Sequence, residues 1–123
     1  MDPMQAMDAL GDPVRRRLVE LLADGQRSAG ELATAVGAEF GVSQPGASRH
    51  LRVLREAGVV ESVVDGQRRL YSVRAESLTE VELWVRGVRR FWDQRLDALE
   101  TEVARGRRQA RSTDPTHDQE ARP

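Results

Sequence analysis

The 123-residue chain contains no cysteine. Disulfides, thiolate metal sites and thiol redox sensing are therefore excluded. It contains no lysine either, so all of its fixed positive charge is carried by arginine. Two explanations fit that bias: recognition of phosphates and base edges by planar guanidinium groups, or codon usage in a GC-rich genome. Aromatic residues are scarce, 4% of the chain, and concentrate late in it. No long apolar run, signal peptide or lipidation motif is present, which leads to the expectation of a soluble, cytoplasmic protein without membrane contact. The formal net charge of -1 argues neither for nor against nucleic acid; only the distribution of charge can decide. At this length a single domain is the default, with a core small enough for oligomerisation to supplement it.

What is present is a series of amphipathic segments with explicit start and stop signals. MDPMQAMDAL forms a short helix with Met4, Met7 and Leu10 on one side, stopped by Gly11. Asp12 caps a second helix with Pro13 at its first position, and Val14, Leu18, Leu21 and Leu22 make its apolar stripe. Its run Arg15 to Arg17 reads as a solvated face, with a phosphate contact as the lesser option. Ser28 to Glu31, SAGE, fits a capping box. It opens a helix carrying Leu32, Val36 and Phe40 that stops at Gly41, with Gly37 as an earlier alternative. SQPGASRHLRVLREAG then begins almost at once. Ser43 caps it, Pro45 is tolerated in the first turn, and Gly58 closes it. Two helices joined by so short a turn must cross at an angle, the helix-turn-helix pattern.

Past Gly58 the periodicity changes. Val59 to Val64 is rich in strand formers, Asp65-Gly66 is a hairpin-turn dipeptide, and QRRLYSV returns as a second strand. Ser77 to Glu80, SLTE, is a further capping box. It opens the longest helix, about 77–105, on the order of 40 Å at 1.5 Å per residue. Leu78, Val81, Val85, Val88, Trp92, Leu96, Leu99 and Val103 alternate along it by threes and fours. From Gly106 the chain turns polar, with Pro115 and Pro123, and reads as a disordered tail over 106–123.

This order of elements defines a mainly α fold with a small β-hairpin, a winged helix-turn-helix over residues 1–105, dimerising through its terminal helices. With Ala47, Leu51 and Leu54 inward, the helix over 43–57 turns Ser48, Arg49 and Arg52 outward, with Gln44 at its N-terminal edge. Gln and Arg can pair bidentately with adenine and guanine edges in the major groove. Gly46 and Ala47 keep the helix start slim, as clearance for a DNA backbone. The hairpin over 60–73 offers Arg68 and Arg69 at its tip for phosphate or the minor groove. His50 lies beside the inward stripe, suited to a hydrogen bond within the fold or to a phosphate reached from the flank. The long helix carries more apolar surface than one small domain buries. Met4, Met7, Val81, Trp84, Val88, Phe91, Trp92 and Leu99 fit a seam with a second copy of the chain. A small-molecule pocket lined by the two tryptophans is the other option. No nucleophile–base–orienter set can be assembled, so no enzyme is expected. The competing class is a winged-helix interaction module whose basic face binds protein.

ALGDPVRRRLVELL, SQPGASRHLRVLREAGVVE and DGQRRLYSV together resemble the ArsR/SmtB repressors, which are winged-helix dimers. The resemblance runs from about Met4 to Arg105, and VELWVRGVRRFWDQRLDALE is similar to a metal-independent actinobacterial branch. It implies a homodimeric repressor of its own or a neighbouring operon, bound to an imperfect palindrome in double-stranded DNA. By motif position Gln44, Ser48, Arg49 and His50 match the family's recognition-helix contacts, and Arg68 and Arg69 its wing. Many members sense metals through cysteines on the third helix or His and Asp ligands on the last. Here ELATAVGAEF offers no thiolate, the long helix has no histidine, and His50 and His117 stand apart. No metal and no cofactor is therefore expected. VGAEFGV is longer than the family's usual link between the motif helices. No effector is identified.

Overall fold

Capping side chains of Asp12, Ser28 and Ser43 set where three of the helices begin. The computed structural model describes residues 3–112. In chain order these form α1 (Pro3–Ala9), α2 (Pro13–Leu21), β1 (Arg27–Ser28), α3 (Ala29–Phe40) and α4 (Gln44–Glu56). β2 (Val60–Asp65), β3 (Arg68–Val73) and α5 (Ala75–Ser112) follow. The Asp12 carboxylate accepts from the backbone N–H groups of Val14 (2.8 Å) and Arg15 (3.2 Å), which starts α2 where the Asp-Pro pair puts it. Burial pushes this carboxyl upward, but the Arg15 and Val14 donors outweigh it, helped by the fields of His50 and Arg15. Its folded value lies below the ordinary one. The cap's contribution is therefore present above the unfolded value of about 3.9 and lost as pH falls through the lower folded value. Asp12→Ala should cost about 1 kcal/mol at neutral pH, whereas Asp12→Asn keeps an acceptor and loses the acid dependence. Urea midpoints at neutral and acid pH measure this; an unchanged midpoint for Asp12→Ala would discard the cap.

Ser28 accepts from the Glu31 N–H (3.1 Å) and donates its hydroxyl to the Glu31 carboxylate (3.2 Å). α3 then passes through Gly37 and ends at Gly41, whose φ of 72° is left-handed. The extra length of VGAEFGV is thus absorbed into α3. The turn is only Gly41 to Ser43, and the Ser43 hydroxyl accepts from the Gly46 N–H at 3.1 Å. α4 closes in a Schellman arrangement: Gly58 N–H bonds the Arg55 carbonyl (3.0 Å) and Val59 N–H the Leu54 carbonyl (2.9 Å).

β2 and β3 pair antiparallel from Val60↔Val73 to Asp65↔Arg68. The loop is therefore Gly66-Gln67, one residue later than expected, because Asp65 completes the ladder. Only Gly66 has positive φ there, the pattern of a hairpin turn with glycine at its first central position. β1 adds a third strand in the order β1-β3-β2, pairing Arg27 with Tyr71 and Ser28 with Leu70. Leu18, Leu32, Val36, Leu51, Leu54, Val59 and Val60 are fully buried at the centre, joined by Ala6 and Ala9 from α1.

α5 departs from expectation at both ends. The Ser77 hydroxyl donates to the Arg74 carbonyl (2.7 Å) instead of accepting, and Ser77 N–H bonds the same oxygen (3.0 Å). Ser77 is thus a buried first-turn residue and the helix begins at Ala75. At the other end the helix runs to Ser112, so 106–112 is helical and not tail. A lone glycine costs a helix only about 1 kcal/mol relative to alanine, and Gly106 is followed by arginines that favour helix. The rest of the expected tail, 113–123, lies outside the described residues. The chain divides into two units, one ending at Trp84 and the other starting at Val85. In the first, Val81 packs against the protomer's own core. In the second, Val85, Val88, Phe91, Trp92, Leu96, Leu99 and Val103 are all exposed.

Candidate nucleic-acid interface

α4 is held by its inner face. Ala47, Leu51 and Leu54 are buried, whereas Gln44, Ser48, Arg49 and Arg52 are exposed. Gln44, Ser48 and Arg52 follow at four-residue spacing, with Arg49 beside them, so all four project from the outer side. Among the described residues none of these four side chains forms an intramolecular hydrogen bond or ion pair. Nothing internal has to be broken before they engage a base edge.

Gly46 lies against the interhelical turn. A Cβ there would lie 3.0 Å from Val42 Cγ1 and 3.2 Å from Ser43 Oγ. The interhelical turn folds back on the helix start, so a larger residue needs Val42 or Ser43 to give by a few tenths of an ångström, and Ala47 is fully buried. The slim beginning of α4 lets the interhelical turn close tightly on it.

The wing arginines are exposed and tethered. Arg68 pairs with Asp65 (3.5 Å) across the turn, and Arg69 Nη1 donates to Ser62 Oγ (3.1 Å) on the facing strand. Exposed pairs of this kind contribute little, so a phosphate can replace them at small cost.

Arg15 to Arg17 are not a simple solvated face. Arg15 Nε donates to the Ala9 carbonyl (2.6 Å) and Nη1 to His50 Nδ1 (3.3 Å). His50 is half-buried, with its Nδ1 against the Arg15 guanidinium. Arg16 Nη1 donates to the Leu10 carbonyl (3.0 Å). Arg17 grips Glu39 bidentately, 2.8 and 3.1 Å, and reaches Glu20 at 3.4 Å. The Arg17 hydrogen bonds, against the opposing effect of burial, hold the Glu39 carboxyl below its ordinary value. The run therefore ties α2 to the end of α1, to α3 and to α4. Sequence periodicity could not find this, because the partners are carbonyls and side chains up to 35 residues away.

Among the described residues no group of three or more His, Cys, Asp or Glu is placed to hold a metal ion. Nor is any described helix long and apolar enough to cross a membrane. A cavity of about 620 Å³ opens between the end of α2, β3 and the start of α5, lined by Val19, Leu22, Val73, Ala75 and Leu78 among others. Neither tryptophan lines it.

A helix-turn-helix with a bare outer face and an antiparallel, arginine-tipped hairpin beside it defines a winged helix-turn-helix protein. Residues 10–63 match the family model described as a helix-turn-helix domain. The chain is 37% identical over 94 residues to the HTH-type transcriptional regulator Rv2034 of Mycobacterium tuberculosis, covering 76% of this chain and 81% of that protein. It is 34% identical over 77 residues to the transcriptional repressor SdpR of Bacillus subtilis, covering 63% and 81% respectively. Among solved structures it is similar to a homodimeric winged helix-turn-helix DNA-binding domain from Mycobacterium bovis, described as a possible ArsR-family regulator. That match has a TM-score of 0.55 at 29% identity, over 69% of this chain and 75% of that one. The chain belongs to the ArsR/SmtB family of winged helix-turn-helix transcriptional regulators.

Proposed function

We propose that the protein is a homodimeric, cytoplasmic repressor of its own or a neighbouring operon, bound to an imperfect palindrome in double-stranded DNA. The observation that carries this reading is the outer face of α4, where Gln44, Ser48, Arg49 and Arg52 are exposed and uncommitted. Gln44 and Arg49 supply bidentate readout of adenine and guanine, and Ser48 bonds a base or a phosphate. Arg52, Arg68 and Arg69 neutralise phosphates, with His50 at the flank. Affinity should therefore fall steeply with salt.

Dimerisation is supported by the second unit. Val85, Val88 and Trp92 recur eleven residues later as Leu96, Leu99 and Val103, a period that keeps one apolar stripe on a nearly straight or gently right-handed helix pair. Arg86, Arg89, Arg90 and Arg95 outnumber Asp93 and make the first half of that stretch basic, while Asp97, Glu100 and Glu102 make the second half acidic. An antiparallel partner sets unlike halves against each other. The M. bovis domain is homodimeric, and the B. subtilis relative is a repressor.

Selection of binding sites from random DNA tests the reading and reports half-site spacing. Arg49→Ala should then cost about 1–3 kcal/mol and relax preference at one base position. A uniform loss across sequences would make Arg49 a phosphate contact. No binding at low salt would favour a protein-interaction module instead.

A further inference from the structure

Arg15 occupies a position that the recognition face does not use. It belongs to α2, outside the helix-turn-helix pair, yet it forms one wall of a notch of about 170 Å³ whose other walls are Gly46, Arg49, His50 and Val53 on α4. Nε is fixed on the Ala9 carbonyl and Nη1 on His50 Nδ1, so the guanidinium is held at two points. Among the described residues its Nη2 has no hydrogen-bond or ion-pair partner. Arg15 and Arg49 thus both line one small notch beside the outer face of α4.

The acidic residues nearby form no ion pair with Arg15, although the Asp12 carboxylate lies within its field. Asp12 spends its carboxylate on the N–H groups of Val14 and Arg15. Asp8 and Glu56 line an adjoining groove that Arg15 also lines, and neither forms an ion pair with it. A fixed guanidinium with a spare N–H beside a second arginine suits a phosphodiester oxygen, and its ordering cost is already met by the fold.

We propose that Arg15 is a DNA backbone-phosphate contact supplied by α2, positioned by His50 and acting beside Arg49. This inference rests on the DNA-binding reading above. It adds a positional clamp from a helix outside the motif, and it assigns His50 to positioning this arginine.

The test compares wild type, Arg15→Gln and Arg15→Lys on the duplex recovered by selection, following affinity across a salt series and the urea midpoint. For Arg15→Gln the slope of log affinity against log salt should fall by about 0.9 per protomer, with the base-preference profile unchanged. Arg15→Lys retains the charge and should keep the wild-type slope even where its midpoint falls, which separates phosphate contact from loss of the strut. A wild-type slope in folded Arg15→Gln would overturn the inference and leave Arg15 purely structural. If Arg15→Gln fails to fold, wild type and Arg15→Lys are titrated against duplexes carrying single methylphosphonates in place of backbone phosphates; penalties identical for the two proteins at every phosphate overturn the inference. Salt-insensitive or absent binding by wild type would remove the DNA reading itself, and this inference with it.

Discussion

Trp92→Asp is expected to convert the protein to monomers and to lower its affinity for a palindromic operator by about 10²–10⁴-fold. Trp92 is 58% exposed in the isolated chain and sits in the middle of the repeating stripe, four residues from Val88 and four from Leu96. Large aromatics at the centre of an apolar seam carry a disproportionate share of association energy, and truncating one typically costs about 2–4 kcal/mol. A carboxylate there adds the cost of desolvating an unpaired charge. DNA affinity follows because two linked recognition helices engage two half-sites as one bivalent ligand; unlinked protomers lose the effective concentration of the second event. Sedimentation equilibrium at micromolar protomer measures the first effect, and titration against full and half operators measures the second. Affinity for the isolated half-site should persist, which distinguishes dissociation from unfolding. A dimer of wild-type mass would end the seam proposal.

The parts legible in the sequence were those governed by short-range rules. Asp12, Ser28, Ser43, Gly41 and Gly58 mark helix ends through their own side-chain or backbone chemistry, and each sits at a terminus as expected. The inward stripe of α4 followed from period alone. What failed to show were features that depend on distant partners. β1 is too short for any alternation, and its pairing is decided by Tyr71 and Leu70 far along the chain. Ser77 carries the same local capping pattern as Ser28, yet its hydroxyl is turned to the Arg74 carbonyl at a buried site. The close approach of Val42 and Ser43 to Gly46 did not show, because they belong to a turn whose geometry the sequence does not state. Arg15 to Arg17 looked solvated for the same reason. In the candidate interface, the outward residues of α4 were legible and the support behind them was not.

Leu51→Ala should destabilise the protein by about 2–5 kcal/mol, a large part of the roughly 5–15 kcal/mol available to a domain of this kind. Leu51 is 1% exposed and lies between Ala47 and Leu54 on the inner face of α4, so its removal opens a cavity that neighbouring alanine cannot fill. The adjacent residue gives the contrasting result. Arg52 is exposed and forms no internal bond among the described residues, so Arg52→Ala should change stability by no more than about 0.5 kcal/mol. It should instead weaken DNA binding evenly across sequences and lower the salt slope. Urea unfolding at one fixed protomer concentration is required, because association is linked to folding in a dimer. Two consecutive residues would then divide the helix into a face that holds it and a face that reads. A Leu51→Ala midpoint within error of wild type would mean that α4 is not packed through this stripe, and the placement of Gln44, Ser48 and Arg49 would fall with it.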